Sequence, residues 1–187
     1  MRLLTGFDVE VASWVANLIP HADTFPRSVS IGVLKGEDLV AGVVFHDYRP
    51  EFAHIEVSMA ATDPRWATRS TIGTILSYPF LQLQCQRITA VTPRKSLQPR
   101  RFLEGIGFKR EGVLRLGFGT DNAIIYGLLR SEWEAGKYCP VRPVDGKAEF
   151  KSSRPRRSSS PGQRSRRGKH GDRSTAAEAK HDWHLWA

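Results

Sequence analysis

The sequence predicts an α/β (α+β) domain built on one mixed sheet, and three observations predict it. An amphipathic helical stretch opens the chain, three short apolar runs follow it at turn-sized intervals, and a strand–helix–strand passage comes after them. Runs joined by tight turns pair antiparallel, whereas a strand–helix–strand passage requires a parallel pair with a right-handed crossover. Helices flanking a sheet of both kinds give a layered sandwich around one core.

In order, DVEVASWVANLIP sets Val9, Ala12, Val15 or Ala16 and Ile19 at helical spacing, and Pro20 ends the run. SVSIGVLK, LVAGVVFHDY and HIEVSMAA, separated by KGED and RPEF, read as three antiparallel strands. Past Asp63-Pro64, WATRSTIGTILSYPFLQLQ places Ile72, Ile75, Leu76, Phe80 and Leu83 on one helical face, with a kink expected at Pro79. RITAVT is a short strand buried on both faces. In SLQPRRFLEGIGF, Ser96 suits a helix N-cap, Pro99 is tolerated in the first turn, and Gly105 or Gly107 closes the helix. KREGVLRL and AIIYGLLR, joined by a turn at GTDN, bring the sheet to about six or seven strands.

The chain has 187 residues, 40% of them hydrophobic, enough for one core. No stretch approaches the roughly 18 apolar residues of a membrane span, and the acidic N-terminus does not read as a secretory signal. A cytoplasmic protein is expected, with no membrane partner. The net charge of +9 is concentrated at one end, because residues 142–187 hold twelve of the 28 Lys and Arg but five of the 19 Asp and Glu. That segment is rich in Ser, Arg, Pro and Gly and poor in aliphatic residues, so it cannot bury enough surface to offset the entropy of ordering. The reading is a folded domain over 1–138 and a basic, disordered tail over 139–187, either unpartnered or binding nucleic acid or an acidic partner. Trp183, Leu185 and Trp186 fit a short docking segment. Cys85 and Cys139 match no metal-ligand spacing, and His181 with His184 lack a third ligand, so no metal is expected.

Within the folded part several segments occur in a telling sequence. HIEVSMA runs into DPRWATRSTIGTIL, with Ala67-Thr68-Arg69 in the turn. LQLQCQRITAVT follows, and then SLQPRRFLEGIGFKREGVLR, carrying Ile106-Gly107-Phe108 and Glu111-Gly112-Val113. From His54 to Phe108 this resembles the GNAT N-acetyltransferase superfamily, and within it the ribosomal-protein N-terminal acetyltransferases. The resemblance implies a sheet that splays between its fourth and fifth strands, acetyl-CoA as co-substrate, and a primary amine or protein N-terminus as acceptor, in a monomer or homodimer.

It also implies site residues. Val57, Ser58 and Met59 on the fourth strand are candidates for the backbone N–H that bonds the thioester carbonyl. Arg65, Trp66, Ala67, Thr68, Arg69 and Ser70 correspond to the pyrophosphate loop. That loop has no glycine between Asp63 and Ile72, so Arg65 and Arg69 are expected to replace amide contacts with charge-assisted bonds. Ser96 stands where relatives carry Asn, and Leu103 where many carry the Tyr that acts as general acid. Strand alternation puts His54, Glu56 and Ser58 on one face. Glu56 is the candidate general base, or alternatively a structural ion-pair partner. Tyr126 is weighed as the acid against a core tyrosine with a satisfied hydroxyl, and Trp66 as an adenine-stacking ring against a core plug. The rival to an enzyme is an inactive domain of the same shape that serves as a binding module.

Overall fold

The computed structural model describes residues 1–19 and 24–140. Its elements are β1 (Arg2–Leu4), α1 (Asp8–Leu18), β2 (Val29–Lys35), β3 (Asp38–Arg49), β4 (His54–Ala61), α2 (Arg69–Ser77), β5 (Arg87–Pro93), α3 (Leu97–Ile106), β6 (Lys109–Phe118), β7 (Asp121–Leu129) and α4 (Arg130–Ala135). The strands form one sheet in the order β1-β2-β3-β4-β5-β7-β6. Every neighbouring pair is antiparallel except β4 and β5, which run parallel as the α2 crossover requires.

Period-two alternation divides the side chains between two helical layers. Val43, Phe45, Ile55, Val57 and Met59 share a core with Ile72, Ile75 and Leu76 of α2 and Leu103 of α3. On the opposite face Val44 and Ala60 meet Ala12, Val15, Ala16 and Ile19. Helix α1 seats closely because β3 offers it a bare backbone: a Cβ at Gly42 would lie 2.5 Å from Val15 Cγ2. Cys139 belongs to the main core.

Several local expectations are corrected. Val9 is 74% exposed, and Val11 takes its place in the core, because a helix beginning at Asp8 turns Val11 and Val15 onto Gly42. The second helix begins at Arg69 rather than at Trp66, capped by the Thr68 side chain, which accepts from the Thr71 N–H at 3.1 Å. Pro64–Trp66 is instead a separate 3-10 turn capped by Asp63. At Pro79 the chain widens into a π turn over Tyr78–Gln82, since proline has no N–H for the regular ladder. β1 and α4 were not anticipated. The stop at Pro20, the basic tail, His181, His184 and the Trp183–Trp186 stretch lie outside the described residues. Among the described residues, no helix is long and apolar enough to cross a membrane.

Candidate active site

β4 and β5 share only three register pairs, His54 with Arg87, Ile55 with Ile88 and Glu56 with Thr89. Beyond Glu56 and Thr89 the strands diverge, although β4 continues to Ala61 and β5 to Pro93. Alternation fixes which peptide groups face the opening. The Thr62 N–H donates to the Val40 carbonyl, so even-numbered residues of β4 direct their N–H groups toward β3. Odd-numbered ones face β5, consistent with the Arg87 N–H reaching back to the Ala53 carbonyl. Val57 therefore supplies the last rung, to the Thr89 carbonyl. The N–H groups of Met59 and Ala61 point into the gap, whereas that of Ser58 points to β3.

At the open end lies a cavity of about 340 Å³, within the range of small-molecule sites. It is lined by Met59 and Ala60 of β4, Leu18 of α1, Trp66, and Pro99 and Phe102 of α3. Trp66 is buried and packs on Phe102 with ring centroids 5.6 Å apart. It is thus a core residue and a wall of the cavity at once.

The apex of the splay is polar on the α1 side. Glu56 sits there half-buried, directly across from His46 on β3. One nitrogen of His46 and one carboxylate oxygen each of Asp47 and Glu56 lie within 4.8 Å of one another. His46 is buried, with Nδ1 2.7 Å from Asp47 Oδ2 and Nε2 3.0 Å from Ser58 Oγ. His54 Nε2 is 2.8 Å from Thr89 Oγ1, which also accepts from Arg87 Nε at 3.0 Å. Arg87 in turn donates from its two terminal nitrogens, Nη1 and Nη2, to the Glu111 carboxylate. His46 and Asp47 carried no signal in the sequence, because strand alternation sends adjacent residues to opposite faces.

Burial, reinforced by Arg87 and Arg49 and opposed by Asp47, pushes the His54 pKa below its ordinary value. The folded state therefore favours neutral His54, and the unfolded chain takes up the proton at higher pH. This contribution to stability is present above about pH 6.5 and is lost as the pH falls through the folded pKa. Denaturant titrations at about pH 7.5 and 5.5 should show a loss that His54→Gln flattens.

The anticipated loop divides into three environments. Arg65 is engaged by Asp63, with Nε 2.9 Å from Oδ1 and Nη2 2.7 Å from Oδ2. Trp66 and Ala67 line the splay cavity. Arg69 and Ser70 open instead onto a second cavity of about 630 Å³, bounded by the first turns of α2 and by Lys137–Pro140. There Arg69 Nε donates to the Lys137 carbonyl at 2.7 Å. Ser96 occupies the N-cap position of α3, but its hydroxyl does not cap the helix. Tyr126 is fully buried, with its hydroxyl donating to Glu104 and accepting from Arg100, as a core tyrosine would.

No protein-family model and no curated protein matches the chain. Solved structures do. A candidate acetyltransferase from T. thermophilus superposes with a TM-score of 0.51 at 23% identity, covering 59% of this chain and 63% of that one. The dodecameric spermidine N-acetyltransferase of Vibrio cholerae, in an intermediate state, gives 0.59 at 15% identity, covering 71% of this chain and 95% of that one. The mixed sheet with its flanking helices and its parallel β4–β5 pair matches theirs. The chain has the GNAT acetyltransferase fold. It spans less than two thirds of the length of the first of these structures. In the GNAT fold of this chain the opening lies beyond Glu56 and Thr89.

Proposed function

We propose that this chain is an enzyme that transfers an acetyl group from acetyl-CoA to a primary amine. The observation that carries the reading is the three-rung β4–β5 ladder, with peptide N–H groups facing the gap beyond it and an ionisable cluster at its apex. The apolar cavity walled by Met59, Ala60, Phe102 and Trp66 fits a pantetheine-like chain. The cationic Arg69 and the first turn of α2 fit an anionic end. When bound, acetyl-CoA supplies an activated thioester whose thiolate, with a pKa near 8.5, is a good leaving group.

The chain's own residues do the rest. The Met59 N–H bonds the carbonyl oxygen, and that bond strengthens as charge develops there. Glu56 takes a proton from the acceptor nitrogen, directly or through a water. The walls from α1 and α3 hold the reactants together and exclude solvent. Spermidine acetylation by the structural neighbours supports a small amine as acceptor, and the sequence resemblance supports a protein N-terminus. Both are amines that must be neutral to react.

A thermal shift with millimolar acetyl-CoA tests the reading. Saturation at about 100 times Kd stabilises a fold by about 2.7 kcal/mol, a rise of several degrees in Tm. An unchanged Tm, together with no CoA release from spermidine or an alanine-ended peptide, would leave only the rival reading of a non-catalytic module. That rival has its own support in the Asp63 carboxylate, which occupies Arg65 at a turn without glycine.

A further inference from the structure

His46 and Glu56 stand directly opposite each other on β3 and β4, so their side chains leave the sheet on the same face. Alternation alone would send Asp47 to the other face. It joins them because β3 departs from regular geometry there: Asp47 adopts a φ of 49°, and the β3–β4 register shifts between His46 and Arg49. The result is three donors, one imidazole nitrogen and two carboxylate oxygens, all within 4.8 Å of one another. His46 Nδ1 and Asp47 Oδ2 are 2.7 Å apart. Two donors at right angles on one ion, each about 2.1 Å from it, are about 3 Å apart, and two on opposite sides are about 4.2 Å apart. The cluster is wider than a coordinated set by less than about 1 Å, a movement available to the exposed Asp47 and the half-buried Glu56.

The surroundings supply what a bound cation requires. His46 is 5% exposed, and its far nitrogen, Nε2, is 3.0 Å from the Oγ of the buried Ser58. A histidine ligand has its second nitrogen held by a partner that fixes the tautomer and the ring orientation, and Ser58 is that partner here. With an ion on Nδ1, the neutral ring keeps its one proton on Nε2 and donates it to Ser58 Oγ, a role that needs no access to solvent. The Phe25 ring, its centroid 5.2 Å from that of His46, backs the imidazole with apolar surface. The Asp47 side chain is 58% exposed, which leaves an entry from solvent and space for water ligands. Two carboxylates beside a neutral imidazole match the charge of a divalent cation. One nitrogen with two oxygens suits zinc better than magnesium or calcium, which take oxygen sets.

We propose that His46, Asp47 and Glu56 form a binding site for a divalent transition-metal ion of the zinc class, and that the ion switches acetyl transfer off by taking the Glu56 carboxylate. The site stands on this geometry alone, whereas its effect on turnover rests on the acetyl-transfer reading. A carboxylate bound to the ion no longer takes a proton from the acceptor nitrogen, and removing the ion returns Glu56 to that work. Cysteine and histidine spacing carries no trace of such a site, because adjacent strand residues converge only where the backbone leaves its regular course.

Calorimetric titration of zinc into the full chain, repeated on His46→Gln, Asp47→Asn and Ser58→Ala, tests the site. His170, His181 and His184 remain in every variant, so binding there leaves no difference among them. Relative to the wild type, His46→Gln and Asp47→Asn should weaken zinc binding by about 100-fold or more, and Ser58→Ala by about 10-fold or more. Asn tolerates the left-handed backbone at position 47, so Asp47→Asn reports on the site even where His46→Gln folds poorly. In ¹⁵N spectra of the wild type, saturating zinc should move the His46 ring proton from Nδ1 to Nε2. Equal affinity in the wild type and Asp47→Asn, or a proton that stays on Nδ1, overturns the site. The switch is read as acetylspermidine formed with zinc and then with excess chelator. Zinc should lower wild-type turnover reversibly by at least about tenfold, and that of Asp47→Asn, measured against itself without zinc, by less than about twofold. Zinc seated at the cluster with turnover unchanged overturns the switch. A chain that binds zinc as described, yet binds no acetyl-CoA and acetylates neither spermidine nor an alanine-ended peptide, upholds the site and overturns the acetyl-transfer reading.

Discussion

Glu56→Gln should lower kcat by about two orders of magnitude while leaving acetyl-CoA affinity within about twofold, because the amide keeps the shape of the side chain but cannot accept a proton. The half-buried carboxylate stands at the apex, where the last β4–β5 rung ends, so the substitution leaves the cavity walls untouched. Steady-state kinetics at saturating acetyl-CoA, paired with calorimetric titration of the cofactor, separates the two quantities. Equal kcat in the variant would assign Glu56 to a structural role. A loss of affinity matching the loss of rate would place it in cofactor binding.

The largest effect on stability is expected at Phe80. Its ring is fully buried in the π turn after α2 and stacks on Trp133 of α4, with centroids 4.9 Å apart and planes inclined by 25°. Phe80→Ala should cost about 3–5 kcal/mol, the sum of lost transfer energy and an unfilled cavity. Phe80→Leu keeps most of the apolar volume and should cost much less. Urea denaturation reads both, and an alanine variant within about 1 kcal/mol of wild type would mean that α4 collapses onto the gap.

Periodicity made the layout legible, because the burial that shapes this fold follows it. Ile72, Ile75 and Leu76 pack as their spacing requires, RITAVT is buried on both faces, and Gly107 ends α3 at a φ of 109°. The elements missed were short ones. β1 has three residues and α4 six, too few to show a period, and each is held by its neighbours rather than by its own pattern. Val9 was misplaced because the helical spacing fits two adjacent stripes, and the bare surface at Gly42 selects the one through Val11. At the apex of the splay, the position of Glu56 on the fourth strand was readable from the order of the runs. Asp47 was not, since only a backbone departure brings it beside His46, and no side-chain pattern announces a positive φ.

The short β4–β5 ladder also has a mechanical meaning. β1 through β4 with α1 form one plate, β5, β7 and β6 form another, and along the sheet the two are riveted at a single end. Such a joint resists shear along the rivets, while the core shared by β3, β4, β5 and β7 under α2 and α3 holds the two plates together. A molecule lying in the gap and bonded to the exposed peptide groups would supply the missing rungs, so occupancy would be felt as stiffness across the whole sheet.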